Sequence, residues 1–282
     1  MKSLRLSFLV EDSVSPTRRK AGFRAEHGLS VLVEGARPKL SLLMDTGPSP
    51  DVLLNNAEIL GVDFDRLDAV FLSHGHYDHT GGLSGVLSGT SKKITVIAHP
   101  SAFEPKFAMA PKLRYVGAPF GRSEFESSAR ALLVRNPVKI VEGVMTTGEV
   151  ERITSYERPR GFWTVEGEML LEDHMKDDQG LVVNLEDRGL VVISGCAHAG
   201  IVNVVKQAQR LAGVDRVHAV IGGFHLKNSS ESTIMSTVND LVEIKPDIVC
   251  PCHCTGQRAI RKLKLAFGDG CRILGTGEAF EI

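Results

Sequence analysis

Nine apolar runs of four to seven residues punctuate this chain, at 4–10, 30–33, 40–44, 69–72, 94–98, 181–184, 190–194, 218–221 and 247–250, bounded mostly by glycine, proline or aspartate. Their length and their content of Val, Ile and Leu read as buried strands. Glycines cluster just past several of them, at Gly47, Gly81 and Gly82, Gly195, and Gly222 and Gly223, where a strand must turn sharply into a loop. The first half is mostly strand with few helices. The later runs alternate with apolar residues at helical spacing: Ile201, Val204, Val205, Ala208 and Leu211, then Ile234, Val238, Leu241 and Val242, then Ala259, Ile260, Leu263 and Phe267. Helices in that order must cover the outer faces of sheets packed on each other, a layered α/β arrangement.

The run at 69–72 leads into Ser73-His74-Gly75-His76-Tyr77-Asp78-His79-Thr80-Gly81-Gly82. Three histidines and a carboxylate at the polar end of a buried strand form a dense set of borderline metal ligands. In an extended exit loop His74 and His76 project to the same side, because side chains alternate. Asp78 and His79 follow the turn and can face back; being adjacent, they suit two neighbouring ions better than one. A surface loop rich in histidine is the bland alternative, and four donors so close together at a strand end argue against it.

Composition narrows the setting. Thirty-three Lys and Arg against 34 Asp and Glu leave a net charge of -1, with no general attraction to nucleic acid or anionic lipid. No apolar run approaches the ~20 residues of a membrane span, and the run after Lys2 and Arg5 is cut by Glu11 and Asp12, too early for a secretory core. Five cysteines, an odd number, argue against a disulfide framework. The expectation is a soluble cytoplasmic protein acting on a small molecule, with neither nucleic acid nor membrane as partner.

The motif Ser-His-Gly-His-Tyr-Asp-His resembles the signature of the metallo-β-lactamase fold superfamily, and Asp45 in Met44-Asp45-Thr46-Gly47 is similar to its supporting aspartate. A narrower likeness runs through Ala25-Glu26-His27-Gly28-Leu29-Ser30, Ser194-Gly195-Cys196-Ala197-His198-Ala199-Gly200-Ile201, Ile221-Gly222-Gly223-Phe224-His225-Leu226 and Pro251-Cys252-His253-Cys254-Thr255-Gly256. This set resembles the subgroup labelled dihydropteroate-synthase-like or ribofuranosylaminobenzene-phosphate-synthase-related. The resemblance implies an αββα sandwich of two mixed sheets flanked by helices, one domain over residues 1–282, with metals between the sheet edges. It also implies ligands at later strand ends. His198 and His253 each follow one strand and precede a helix, and His253 matches the last histidine ligand by position. Cys196 falls where many relatives carry a bridging aspartate; either it ligates as a thiolate, or His198 takes the role and Cys196 is a small packed residue. His174 has the spacing of a remaining histidine ligand in lactonase-like relatives. His225 is open as a ligand, a substrate contact or a helix cap.

The metal set is therefore His74, His76, Asp78, His79, His198 and His253, with His225, Cys196, His174 and Asp45 as further candidates. It would hold one or two divalent ions, zinc first, with manganese or iron also suited to mixed imidazole and carboxylate donors. A structural zinc site at Cys252, His253 and Cys254 is disfavoured by the lack of paired C-x₂-C arms. Glu26 and His27 read as a hydrogen-bonded turn or as support for the ligands, and His99 and His218 as structural.

An ion held this way lowers the pKa of bound water to ~7 and polarises a carbonyl or phosphoryl oxygen, with Asp78 as ligand and orienter. Hydrolysis of a small ester or phosphate ester is the leading expectation. The subgroup resemblance implies a rival, transfer of a pterin from its diphosphate to an aminobenzene ribose phosphate, and a non-enzymatic metal-binding module is the third reading. The segment 100–161, richer in proline and charge, is expected to cover the cleft. Its Phe103, Phe107, Tyr115 and Phe120, with Lys106, Lys112, Arg114 and Arg122 among them, suit a flat anionic ring. A peripheral subdomain with its own small core is the alternative.

Overall fold

The apolar runs become the strands of two stacked sheets. The computed structural model describes residues 1–109 and 111–282. One sheet has seven strands, in spatial order Ala279–Glu281, Leu4–Val10, Ser30–Ala36, Lys39–Met44, Ala69–Phe71, Thr95–Ala98 and Arg130–Leu133. Its first pairings are antiparallel, and those from Lys39–Met44 onward are parallel. The other has six, in the order Ile248–Cys252, Val217–Gly223, Gly189–Ser194, Gly180–Leu185, Val144–Thr146 and Lys139–Val141, with parallel pairing among the first three. Both sheets are mixed.

Period-two alternation sorts each strand between two cores. In Gly189–Ser194, Val191 and Ile193 enter the core between the sheets, while Leu190 and Val192 face helices. In Lys39–Met44, Leu40, Leu42 and Met44 point between the sheets and Leu43 points outward. Gly189–Ser194, buried on both faces, reads as a nearly continuous apolar run, whereas Lys39–Met44 is interrupted by Ser41; each fully buried Leu, Val or Ile contributes about 1.5–3 kcal/mol relative to exposure.

Ile201–Ala212, Glu231–Ile244 and Gln257–Phe267 cover the six-stranded sheet where helical spacing placed them. The seven-stranded sheet is covered by Pro50–Leu60, Leu83–Ser88 and Arg122–Ser128. Pro50–Leu60 was not among the expected helices, although proline in its first turn and Gly61 in the left-handed conformation past its end are ordinary helix punctuation. The layers are helix, sheet, sheet, helix, the αββα sandwich. No helix among the described residues is long and apolar enough to cross a membrane.

The segment 100–161 does not stay together. Arg130–Leu133 extends the seven-stranded sheet, and Lys139–Val141 and Val144–Thr146 belong to the six-stranded one. A separate four-stranded sheet, Met169–Glu172, Phe162–Glu166, Lys106–Ala108 and Arg114–Tyr115, draws half its strands from beyond residue 161.

Candidate metal centre

The carboxyl ends of the parallel strands in both sheets meet at one rim, and the donors stand there. Three groups of donor atoms form around the histidine loop, in each of which all the atoms lie within 4.8 Å of one another: His74, His76 and His198; Asp78, His79 and His253; and His74, His79 and Cys196. The extended loop brings His74 and His76 together as expected. Asp78 and His79, by contrast, share one group with His253, because the short helix Tyr77–Thr80 turns both back toward the same strand end.

Hydrogen bonds orient these imidazoles from behind. Asp45, buried and at φ 58°, accepts from Ser73 N at 2.7 Å, from Ser73 Oγ at 2.7 Å and from His79 Nδ1 at 2.7 Å. His79 therefore carries its proton on Nδ1 and presents Nε2 to the site. Ser73 Oγ, already donating to Asp45, accepts from His74 Nδ1 at 3.0 Å, which frees His74 Nε2 in the same way. Asp12 does this for His253, accepting from its Nδ1 at 2.7 Å, and also faces His27 Nδ1 at 2.8 Å. Such carboxylate–histidine pairs fix tautomer and ring direction at metal sites. Gly195 makes the approach of the two sheets feasible, since a Cβ there would lie 2.0 Å from Ser73 Oγ and 2.8 Å from Asp45 Oδ2.

The front faces fit a cation. His79 Nε2 and His253 Nε2 approach to 3.3 Å, and His74 Nε2 and His76 Nδ1 to 3.1 Å. With their other nitrogens committed to acceptors, His79 and His253 turn Nε2 toward the same point, beside Asp78 Oδ2 at 3.4 Å from His253 Nε2. Among the described residues, His76 Nε2 and both ring nitrogens of His198 are buried without a hydrogen-bond partner. Buried polar atoms left unpaired in this way are rare and costly, and a divalent ion would satisfy one nitrogen of each ring.

The two histidine groups differ in charge. Burial, reinforced by neighbouring imidazoles and the Lys106 ammonium, holds His74, His76 and His198 well below the usual histidine range. Burial acts the same way on His79 and His253. There Asp45 and Asp78 outweigh it for His79, and Cys254, Asp12 and Asp78 outweigh it for His253, so both are raised. Burial would lift the Asp78 carboxyl, but His79 and His253 hold it far below the carboxylate range. The metal-free protein thus has no protons to displace from the first group near the ordinary histidine pKa of 6.5, while the second group holds protons to higher pH. Metal uptake by His74, His76 and His198 should be nearly independent of pH through that value. Uptake by Asp78, His79 and His253 should release protons and weaken as pH falls. Calorimetric titration in two buffers of different ionisation enthalpy checks this; equal proton release for both equivalents would contradict it.

Other expected residues fall elsewhere. His174 is exposed and belongs to none of these groups among the described residues; its carbonyl accepts from Arg152. Cys252 is buried in the core between the sheets, apart from Cys254, so Cys252, His253 and Cys254 do not converge on one ion. Lys106 cannot serve as a substrate cation. It is buried, bonded to Asp173 at 2.8 Å and Asp177 at 2.9 Å, and these carboxylates more than offset its burial and raise its pKa to about 12. Arg122 pairs with Glu126 on an exposed helix. Phe103 and Phe120 pack around Phe125 against the core between the seven-stranded sheet and its helices, neither in the cleft nor in a small core of their own. His99 and His218 bond Glu149 and Asp247, structural as expected.

Sequence reasoning missed several contributors. Asp177 accepts from Gly75 N at 2.8 Å and so ties the histidine loop to Lys106. Asp178, pushed up to about 7 by burial, accepts from Ala199 N at 3.0 Å beside His198. Phe162 lies with its ring centroid 4.8 Å from that of His76 and 4.9 Å from that of His198. Its place one residue past the segment's glycine, in an aromatic pair with Trp163, was the available signal. In front of the centre opens a cleft of about 490 Å³, lined among others by Arg114, Tyr156, Arg158, Arg160, Phe162 and Lys227.

Residues 24–253 match the family model of the metallo-beta-lactamase superfamily. The chain belongs to the metallo-β-lactamase superfamily. A Methanocaldococcus jannaschii member named 7,8-dihydropterin-6-methyl-4-(beta-D-ribofuranosyl)-aminobenzene-5'-phosphate synthase is 35% identical over 265 residues, 91% of this chain and 90% of that protein. A second protein of the same organism, uncharacterized, is 31% identical over 258 residues, 90% of this chain and 94% of its own length. The crystal structure of Tm1679, a metal-dependent hydrolase of the beta-lactamase superfamily, is similar with a TM-score of 0.84 and 33% identity, covering 99% of both chains. A diphosphatase from the PhnP family shares the superfamily fold, at a TM-score of 0.52 and 15% identity over 99% of this chain and 97% of its own.

Proposed function

We propose that this superfamily member is a metal-dependent transferase of the synthase type, joining a pterin methylene, supplied as its diphosphate, to the amine of an aminobenzene ribose phosphate. The observation that carries the reading is the cleft itself: the Phe162 ring lies against the histidines, and Arg114, Arg158, Arg160 and Lys227 surround it. A flat ring can stack there while its phosphates meet guanidinium and ammonium groups. In the reaction the methylene–oxygen bond to the diphosphate breaks, the amine nitrogen bonds to the methylene, the diphosphate departs with the electron pair, and the amine gives up a proton. Divalent ions held by His74, His76, His198, Asp78, His79 and His253, zinc first among the candidates, would supply charge neutralisation at a phosphoryl oxygen. The chain's own part is to keep those donors oriented through Asp45 and Asp12 and to neutralise the leaving group with the cleft cations. The 35% identity to the synthase over nine-tenths of both chains supports this reading over hydrolysis.

Hydrolysis of a phosphate ester stays as the second reading, favoured by the likeness to Tm1679. The two separate cleanly. Diphosphate released from the pterin diphosphate only when the aminobenzene phosphate is present supports transfer; release at the same rate without it sinks transfer in favour of hydrolysis. In the same assay Arg114→Ala should raise KM by about 10- to 100-fold, the value of a charge-assisted hydrogen bond, with metal content unchanged. Arg122→Ala, outside the cleft, should leave KM as it is.

A further inference from the structure

Next to the histidine groups the structure gathers three donors of softer character. Cys196 Sγ, Cys254 Sγ and a ring nitrogen of His225 all lie within 4.8 Å of one another. They come from three neighbouring parallel strands: Cys196 follows Gly189–Ser194, His225 follows Val217–Gly223, and Cys254 follows Ile248–Cys252. Each strand thus delivers one donor at its carboxyl end. Both thiols are buried, His225 is half-buried, and all three residues line the cleft.

The backbone is shaped around this cluster. A Cβ at Gly223 would lie 2.6 Å from Cys254 Sγ and 2.5 Å from the carbonyl of Gly195, so only glycine admits the thiol at this point. His225 sits at φ 48°, a left-handed conformation unusual for a residue with a side chain, and Ala197 beside Cys196 sits at φ 52°. The His225 backbone N–H donates to Cys254 Sγ at 3.3 Å, while His225 Nδ1 is buried with no partner among the described residues. Thiols that merely fill space look different here: Cys250 and Cys252 lie among aliphatic side chains between the sheets, with no imidazole in their group.

We propose that Cys196, Cys254 and His225 form a thiolate metal position of their own, selective for a soft or borderline ion such as zinc. Each thiol loses its proton as its sulfur–metal bond forms. Three protein donors leave one place of a tetrahedral set open toward the cleft. Cys196 links this position to the histidine centre, with its Sγ 3.1 Å from His79 Nε2.

The inference rests on the metal-centre reading, and cobalt distinguishes the two. Metal-free protein is titrated with Co²⁺ and followed by near-ultraviolet absorption and by native mass spectrometry. Wild type should show a thiolate-to-cobalt charge-transfer band. Cys254→Ser should lose about half or more of the band and bind one ion fewer, and Cys250→Ser should match wild type. Cobalt bound without the band, or Cys254→Ser with unchanged band and stoichiometry, overturns the thiolate position while leaving the histidine centre standing. No cobalt bound at all would overturn both. Should Cys254→Ser fail to fold, His225→Gln, at a half-buried residue, gives the same readout: one ion lost supports the position, unchanged stoichiometry and band refute it.

Discussion

His76→Ala should lower turnover at least ~100-fold and reduce bound metal, with the fold intact. Changes to residues that only orient the ligands of a metal already cost 10- to 100-fold, so removing a donor should cost no less. The ring of His76 has a buried Nε2 with no partner among the described residues, shares a donor group with His74 and His198, and makes no capping bond to the helix Tyr77–Thr80 that follows it. It contributes to none of the three apolar cores. Truncation therefore removes a ligand without opening the core. Diphosphate release, elemental analysis and a thermal melt together make the measurement. Full turnover with full metal content would mean the loop is not the metal site.

Lys106→Met should destabilise the protein by about 3–5 kcal/mol, the cost of leaving buried charges without their counter-ion. Lys106, Asp173 and Asp177 form a buried triad, with Asp177 fully enclosed. The triad also transmits to the site. Asp177 holds Gly75 N through its second oxygen at 2.8 Å, and Gly75 lies between His74 and His76. Metal affinity should fall along with stability, and Lys106→Met combined with Asp173→Asn should recover part of the lost stability, because one unpaired charge goes with it. Urea unfolding of both variants decides; a midpoint equal to wild type for the single variant would show that the triad is not needed.

How legible the centre was depended on distance along the chain. His74, His76, Asp78 and His79 are local and stood out as a motif. His198 and His253 were candidates because the family resemblance implies ligands at later strand ends, and each stands where a strand gives way to a helix. Asp12 and Asp177 carried no such mark. Each is one acid in an unremarkable stretch, and each acts on a partner far away in sequence, His253 at a separation of 241 residues and Gly75 at 102. His174 and Lys106 failed in the opposite way. Their residue types suited a site, but spacing does not tell which way a side chain points, and the fold turns one to solvent and encloses the other.

By itself the sequence determined the nine apolar strands and the three helices that alternate with the later ones. Short, β-branched apolar runs bounded by turn residues read as buried strands, and the amphipathic stretches between the later ones must cover a sheet, so the layered class follows from local pattern. Which donors share an ion was decided only by the tertiary structure. Cys196 meets His225 and Cys254 because Gly222 pairs with Ser194 on one side and with Pro251 on the other. Asp78 and His79 meet His253 because the two sheets stack with the same rim aligned. Strand order and sheet stacking arise from burial of side chains contributed by the whole chain, a non-directional force that leaves no local periodicity to read.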